Sequence, residues 1–114
     1  MSRSDPALLI DMLLAARRAV QFSSDLDEQQ FAASQLHQEA IARSLQILGE
    51  AARKISQAFR DGHPQIPWKQ MVDMRTFLVH EYFRIDRDTV WKTVKEDLPG
   101  LIGVLESMVE SLPQ

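Results

Sequence analysis

Three side chains suited to phosphate chemistry fall within eight positions of this sequence, Arg75, His80 and Tyr82, in the stretch from Met74 to Phe83. Arginine carries a fixed charge and a planar fork of donors that matches a phosphate. Histidine titrates near neutral pH and can take or give a proton. Tyrosine adds a hydroxyl that donates, accepts or is modified. The competing reading is a surface arginine, a satisfied histidine and a half-buried tyrosine. Helix geometry sets a condition on the first reading. Arg75 and Tyr82 are seven positions apart and nearly eclipse each other on a continuous helix. His80 points about 140° away from Arg75, at about 100° per residue. Either the helix distorts before His80, or a second copy of the chain completes the site.

Other chemistries lack their residues. The chain has no cysteine, which excludes disulfides, thiolate metal sites and cysteine nucleophiles. Glu-x-x-His, the signature of di-iron bundles, does not occur, and neither does His-Glu-x-x-His or a Gly-rich phosphate loop ending in Lys-Ser/Thr. His37 and Glu39 lie two positions apart, hence on different faces of a helix, and make a poor metal site. His63 stands in a turn between Gly62 and Pro64, where a solvated loop role is the simpler one. No metal and no cofactor is expected.

A chain of 114 residues, 45 % hydrophobic and 25 % charged, has the composition of one folded domain spanning residues 1–114. The net charge of −3 does not suit a general nucleic-acid coat. Between Trp68 and Lys95, however, six basic residues face four acidic ones, so the motif sits in a locally basic stretch. The N-terminal stretch lacks the apolar run of a signal peptide, and no segment reaches the ~18 apolar residues of a membrane span. The cytoplasm is therefore the expected compartment.

The elements that must carry the motif are helical. Asp5-Pro6 reads as a cap and first turn, and Leu8, Leu9, Met12, Leu13, Ala16 and Val20 recur at helical spacing to about Phe22. Asp27 with Gln30 has the spacing of a capping box. From there Ile41, Leu45, Leu48, Ala52, Ile55 and Phe59 form one seam, predicting a helix from Asp27 to Asp61 on the order of 50 Å long. Part of that seam is expected to be available to a second subunit. Gly49 within it costs ~1 kcal/mol relative to alanine, which predicts the close approach of a neighbouring helix. Ile66-Pro67-Trp68 opens a third helix with Met71, Met74 and Leu78 inward, fading into irregular structure between Phe77 and Phe83. Asp86 caps a fourth, with Val90, Trp91, Val94 and Lys95. Leu98-Pro99-Gly100 is expected to interrupt it before a fifth helix from Leu101 to Leu112. The fold class is all-α, an up-and-down bundle of four or five helices with one long second helix.

The pattern Arg75-x4-His80-x-Tyr82 resembles the Arg-x4-His-x-Tyr motif of HepT-like toxins in the HEPN superfamily. Ala40 to Ala52 resembles that family's long second helix, Ile66-Pro67-Trp68 its lead-in, and Asp86 to Leu98 its closing segment. One departure is Thr76, where the family often has asparagine or another polar residue; it keeps a hydroxyl and loses an amide. The resemblance implies a homodimer or higher oligomer with two motifs facing across a cleft. It also implies a metal-independent endoribonuclease that cleaves RNA by attack of the ribose 2′-hydroxyl. Arg75 and His80 are then catalytic, with Thr76 and Glu50 supporting them. The implied partner is a nucleotidyltransferase antitoxin of the MntA type, which attaches AMP to Tyr82 and so adds a bulky anion beside the site. The alternative is a catalytically silent dimeric module that serves as partner or substrate of such a nucleotidyltransferase.

Overall fold

A computed structural model describes residues 3–80 and 86–113 of the chain. Its elements are α1 (Asp5–Ser23), α2 (Glu28–Ala33), α3 (Gln35–Lys54), α4 (Gln57–Asp61), α5 (Trp68–Val79), α6 (Arg87–Lys92), a π-helical turn (Thr93–Asp97) and α7 (Leu98–Glu110). Among the described residues there is no strand, as the all-α reading requires, and no helix is long and apolar enough to cross a membrane.

The centre of the bundle is the pair α1 and α3. Leu8, Leu9, Met12, Leu13, Ala15, Ala16 and Ala19 of α1 are buried, at the helical spacing read from the sequence. They meet Ile41, Ala42, Leu45, Leu48 and Ala52 of α3 in one apolar core. α7 lies on the other flank of α1, and α5 packs on α3. The layer order is thus α5, α3, α1, α7, and the motif-bearing helix is an outer one. The bundle measures 43 × 26 × 25 Å along its principal axes and is therefore elongated.

Helix starts follow local chemistry. Asp27 and Gln30 form the expected capping box, with Gln30 N–H on the Asp27 carboxylate at 2.7 Å and Asp27 N–H on the Gln30 side chain at 2.9 Å. Asp86 accepts from the backbone and hydroxyl of Thr89 at the head of α6. At α1 the cap is Ser4 and not Asp5: the Ser4 hydroxyl accepts from Ala7 N–H. Asp5 instead reaches across the chain and accepts from the backbone and hydroxyl of Ser56, at 3.0 and 2.7 Å.

The predicted single helix from Asp27 to Asp61 is three helices. The first break is Ser34, whose backbone is extended and whose hydroxyl caps α3 at His37. The buried Gln38 amide donates to the carbonyls of Phe31 and Ala32, which α2 leaves open at its end. The second break is Ile55, where Ser56 caps α4 and is itself held by Asp5. The Arg60 guanidinium collects the carbonyls of Ile55 and Arg53. Each break exchanges intrahelical bonds for side-chain bonds, so no buried side-chain polar atom among the described residues lacks a partner. The apolar seam survives the breaks, but Ile41, Leu45, Leu48, Ala52 and Ile55 are all buried within the chain. Phe59, at the end of the seam, is only partly buried.

The expected interruption at Leu98-Pro99-Gly100 does not occur. Pro99 would collide with the carbonyl four residues back in a regular helix. The π turn at Thr93–Asp97 widens the coil immediately before it, and Pro99 then falls in the first turn of α7. Trp91 fills the corner below, against Phe31 at a centroid distance of 5.1 Å, with the Lys95 ammonium over its ring at 4.7 Å.

Candidate functional site

α5 opens on Pro67 as its cap residue, one position earlier in role than the first-turn position expected from the sequence. The Trp68 indole N–H donates to the carbonyl of His63 at 3.0 Å, which ties the helix head to the preceding turn. His63 is part of that turn: its ring stacks on Phe59 at 4.1 Å and its Nδ1 donates to the Phe59 carbonyl. Met71 and Leu78 are buried and turn the helix onto α3.

Three neighbouring residues of α3 hold α5 in place. Gln46, Gly49 and Glu50 stand at i, i+3 and i+4 and therefore share one face. The Gln46 amide donates to the Leu78 carbonyl at 3.2 Å, satisfying one of the open carbonyls of α5's last turn. Gly49 brings the backbones close, opposite Met71 and Arg75. Glu50 Oε2 pairs with Arg75 Nε at 2.9 Å, both side chains about one-third exposed, at 34 % and 31 %.

Glu50 is the centre of a larger charge cluster. Its other oxygen accepts from Arg53 at 2.8 Å and lies 3.6 Å from the Lys54 ammonium. The hydrogen bond from Arg53 holds the Glu50 carboxyl below the usual carboxylate range, and the charges of Arg53, Arg75 and Lys54 add to this against the opposing effect of desolvation. Glu50 is thus an anion at neutral pH with three cations on it. Beyond it, between α1 and α3, lies a recess of about 270 Å³ whose rim holds Arg3, Arg18, Arg43 and Lys54 against Asp11 and Glu50. A larger groove of about 820 Å³ opens on another side of α5, lined mainly by apolar residues such as Leu45, Met74, Phe77, Leu98 and Leu101, with Asp73, Glu96 and Asp97 among its walls; it does not include Arg75. Arg75 is on the Glu50 side.

α5 ends at Val79, and His80 is its exposed C-terminal cap at φ −85°, ψ 8°. That backbone lies in the bridge region, sparsely used in general and common in active sites. Its N–H still bonds the Thr76 carbonyl at 3.3 Å, so His80 keeps its helical direction, about 140° around from Arg75. Arg75 and Glu50 are brought together; Arg75 and His80 lie on different sides of one helix. Thr76 is exposed and its hydroxyl donates to the Val72 carbonyl at 3.3 Å, one turn back, which takes it away from the Glu50–Arg75 contact. Tyr82 lies outside the described residues.

An arginine held by a carboxylate on a helix that stops at a histidine is a recognisable arrangement. The description "Ribonuclease HepT-like" fits a family model that matches residues 12–108. The chain belongs to the HepT-like ribonuclease family. Its relatives include "Putative RNase MJ1380" of Methanocaldococcus jannaschii, 43 % identical over 102 residues, covering 89 % of this chain and 94 % of that one. "Probable ribonuclease HepT" of Thermococcus cleftensis is 39 % identical over 108 residues, covering 95 % and 98 %. No solved structure matches the chain.

Two features beside the candidate site, Gln46 and the basic rim of Arg18 and Arg43, carry no role in the sequence reading. Gln46 shares a helical face with Gly49 and Glu50, a spacing that marks it as facing the same neighbour. Arg18 and Arg43 lie on different helices, and only the packing of α1 on α3 brings them to one recess.

Proposed function

We propose that this chain is the toxin of a toxin–antitoxin pair, a metal-independent endoribonuclease acting as a homodimer. The observation that carries the reading is the Glu50–Arg75 ion pair, on the helix that ends at exposed His80, in a member of a ribonuclease family. Glu50 engages Arg75 at Nε, leaving the two terminal nitrogens of the guanidinium for a phosphate. The nucleophile is the substrate's own 2′-hydroxyl. It attacks the adjacent phosphorus, forms a 2′,3′-cyclic phosphate and expels the 5′-oxygen of the next nucleotide as a hydroxyl. Because that nucleophile is already bonded within the substrate, no metal-bound water has to be generated. What remains is one proton removed, one proton delivered, and charge stabilised at phosphorus. His80 serves proton transfer and Arg75 the charge.

The divergence of Arg75 and His80 around α5 supports a site completed across two chains. A dimer brings two histidines, one as base and one as acid, and each arginine then faces its partner's histidine. The basic rim of Arg18 and Arg43 beside Glu50 suits the approaching RNA backbone. Tyr82, two positions beyond His80, is the residue on which an MntA-type nucleotidyltransferase antitoxin places AMP. The added anion would compete with RNA phosphate for Arg75 and silence the enzyme.

Purified, unmodified protein is expected to cleave single-stranded RNA in chelator, and His80→Ala to abolish cleavage. Intact mass after incubation with the cognate nucleotidyltransferase and ATP should rise by ~329 Da per AMP, mapped to Tyr82. AMP addition without cleavage at any stage would leave the silent binding module standing and the ribonuclease reading refuted. Cleavage without AMP addition would remove the Tyr82 switch alone.

A further inference from the structure

We propose that Gly49, acting with Glu50, is the positioning residue for Arg75; this rests on the ribonuclease reading above. A Cβ on Gly49 would overlap the Arg75 Cβ and stand 2.7 Å from the Met71 carbonyl oxygen and 3.3 Å from the Arg75 Cγ. The first two atoms cannot swing aside, because one is fixed to the α5 backbone and the other belongs to it. Met71 precedes Arg75 by four positions, so its carbonyl is the acceptor for Arg75's own backbone N–H. The glycine therefore abuts the turn of α5 that carries the arginine. Its neighbour Glu50 takes the end of the same side chain at 2.9 Å. One residue sets how near the arginine's base comes to α3, and the next sets where its guanidinium points.

Other glycines of the bundle do not share this geometry. A Cβ at Gly100 or Gly103 of α7 meets nothing within 4 Å. The requirement for glycine at position 49 thus belongs to the α3–α5 crossing and not to helices of this chain in general. Carbon atoms in contact sit about 3.5–4.0 Å apart, so an alanine at 49 moves α5 outward by about 1 Å. A displacement of that size at a phosphate-binding group can cost about 100-fold in rate.

The test is steady-state RNA cleavage by the full chain, with thermal midpoints measured on the same samples. Gly49→Ala is expected to lower kcat about 100-fold with KM changed little, because the base of the arginine has moved while the RNA path over the basic rim has not. Glu50→Gln leaves the glycine crossing intact and releases the guanidinium, and should lower kcat about 10-fold with only a small fall in the midpoint. Gly103→Ala should leave both constants as they are. Cleavage that depends on Arg75 but survives Gly49→Ala and Glu50→Gln undiminished overturns the positioning role alone. Cleavage that survives Arg75→Ala, or a wild-type chain that does not cleave, removes the ribonuclease reading and this proposal with it. If Gly49→Ala does not fold, Glu50→Gln decides: a kcat loss in a chain that stays folded at the assay temperature supports the pair, and an unchanged kcat overturns it.

Discussion

α3 treats its two main neighbours, α1 and α5, differently. Toward α1 it offers an apolar surface, and α1 answers with leucine, methionine and alanine, nearly all fully buried. Among the described residues no ion pair joins these two helices. Toward α5 it adds Gln46, Gly49 and Glu50, so that beside the buried Met71 and Leu78 the contact includes an amide, a bare backbone and a carboxylate. The first contact is non-directional and tolerates small shifts, because it gains mainly from area removed from water. The second is directional and specifies where one guanidinium lies. The bundle's stability thus comes from one face of α3 and the placement of its candidate chemistry from another.

That division can be broken from either side. The largest effect expected is on the apolar side: Leu9→Ala, at a fully buried position, should cost about 2–5 kcal/mol of folding stability, measured by urea unfolding. Whatever fraction stays folded should cleave RNA at the wild-type rate, since α1 does not carry the motif. The reverse is expected of Arg75→Ala, which should lose about 10²–10³-fold in kcat/KM, as removal of a group stabilising transition-state charge does. Its unfolding midpoint should move little, because the pair it breaks is partly solvated and such pairs add little stability. If Arg75→Ala unfolds the chain and Leu9→Ala does not, the assignment of the two faces is inverted.

The smallest effect is the pH response of Glu50. Its carboxyl is lowered in the folded state, first by the Arg53 hydrogen bond and then by the charges of Arg53, Arg75 and Lys54. A lowered folded value means that the ionised form stabilises the fold above the unfolded value, and that this contribution is lost as pH falls through the folded one. Wild type should therefore lose more stability than Glu50→Gln on acidification below about pH 5, the region where free glutamate begins to protonate. Equal acid sensitivity of the two chains would show that the cluster on Glu50 is electrostatically idle.

Much of the architecture was legible because it is local. The Asp27–Gln30 box, the Asp86 cap, the stop at Gly62 and the apolar periodicity of α1 each depend on residues within about four positions of one another. The failures are where bonds come from far away. Ser56 breaks the long helix with help from Asp5, 51 positions distant, and no window of sequence contains both. Gln38 has no role in the sequence reading, yet its amide closes the end of α2. Pro99 looked like a helix stop, and the π turn before it removes the collision that makes it one.

The candidate site divides the same way. By itself the sequence determined that an arginine, a histidine and a tyrosine share one short stretch, that the chain resembles a HepT-like toxin, and that Gly49 needs a close neighbour. These are matters of residue type and spacing. Only the tertiary structure decided that the neighbour is α5, that Glu50 meets Arg75 across 25 positions of chain, and that α5 runs on to Val79 without distorting before His80. The physical reason is that a helix fixes its own faces by its period, while which faces meet is settled by the packing of the whole core.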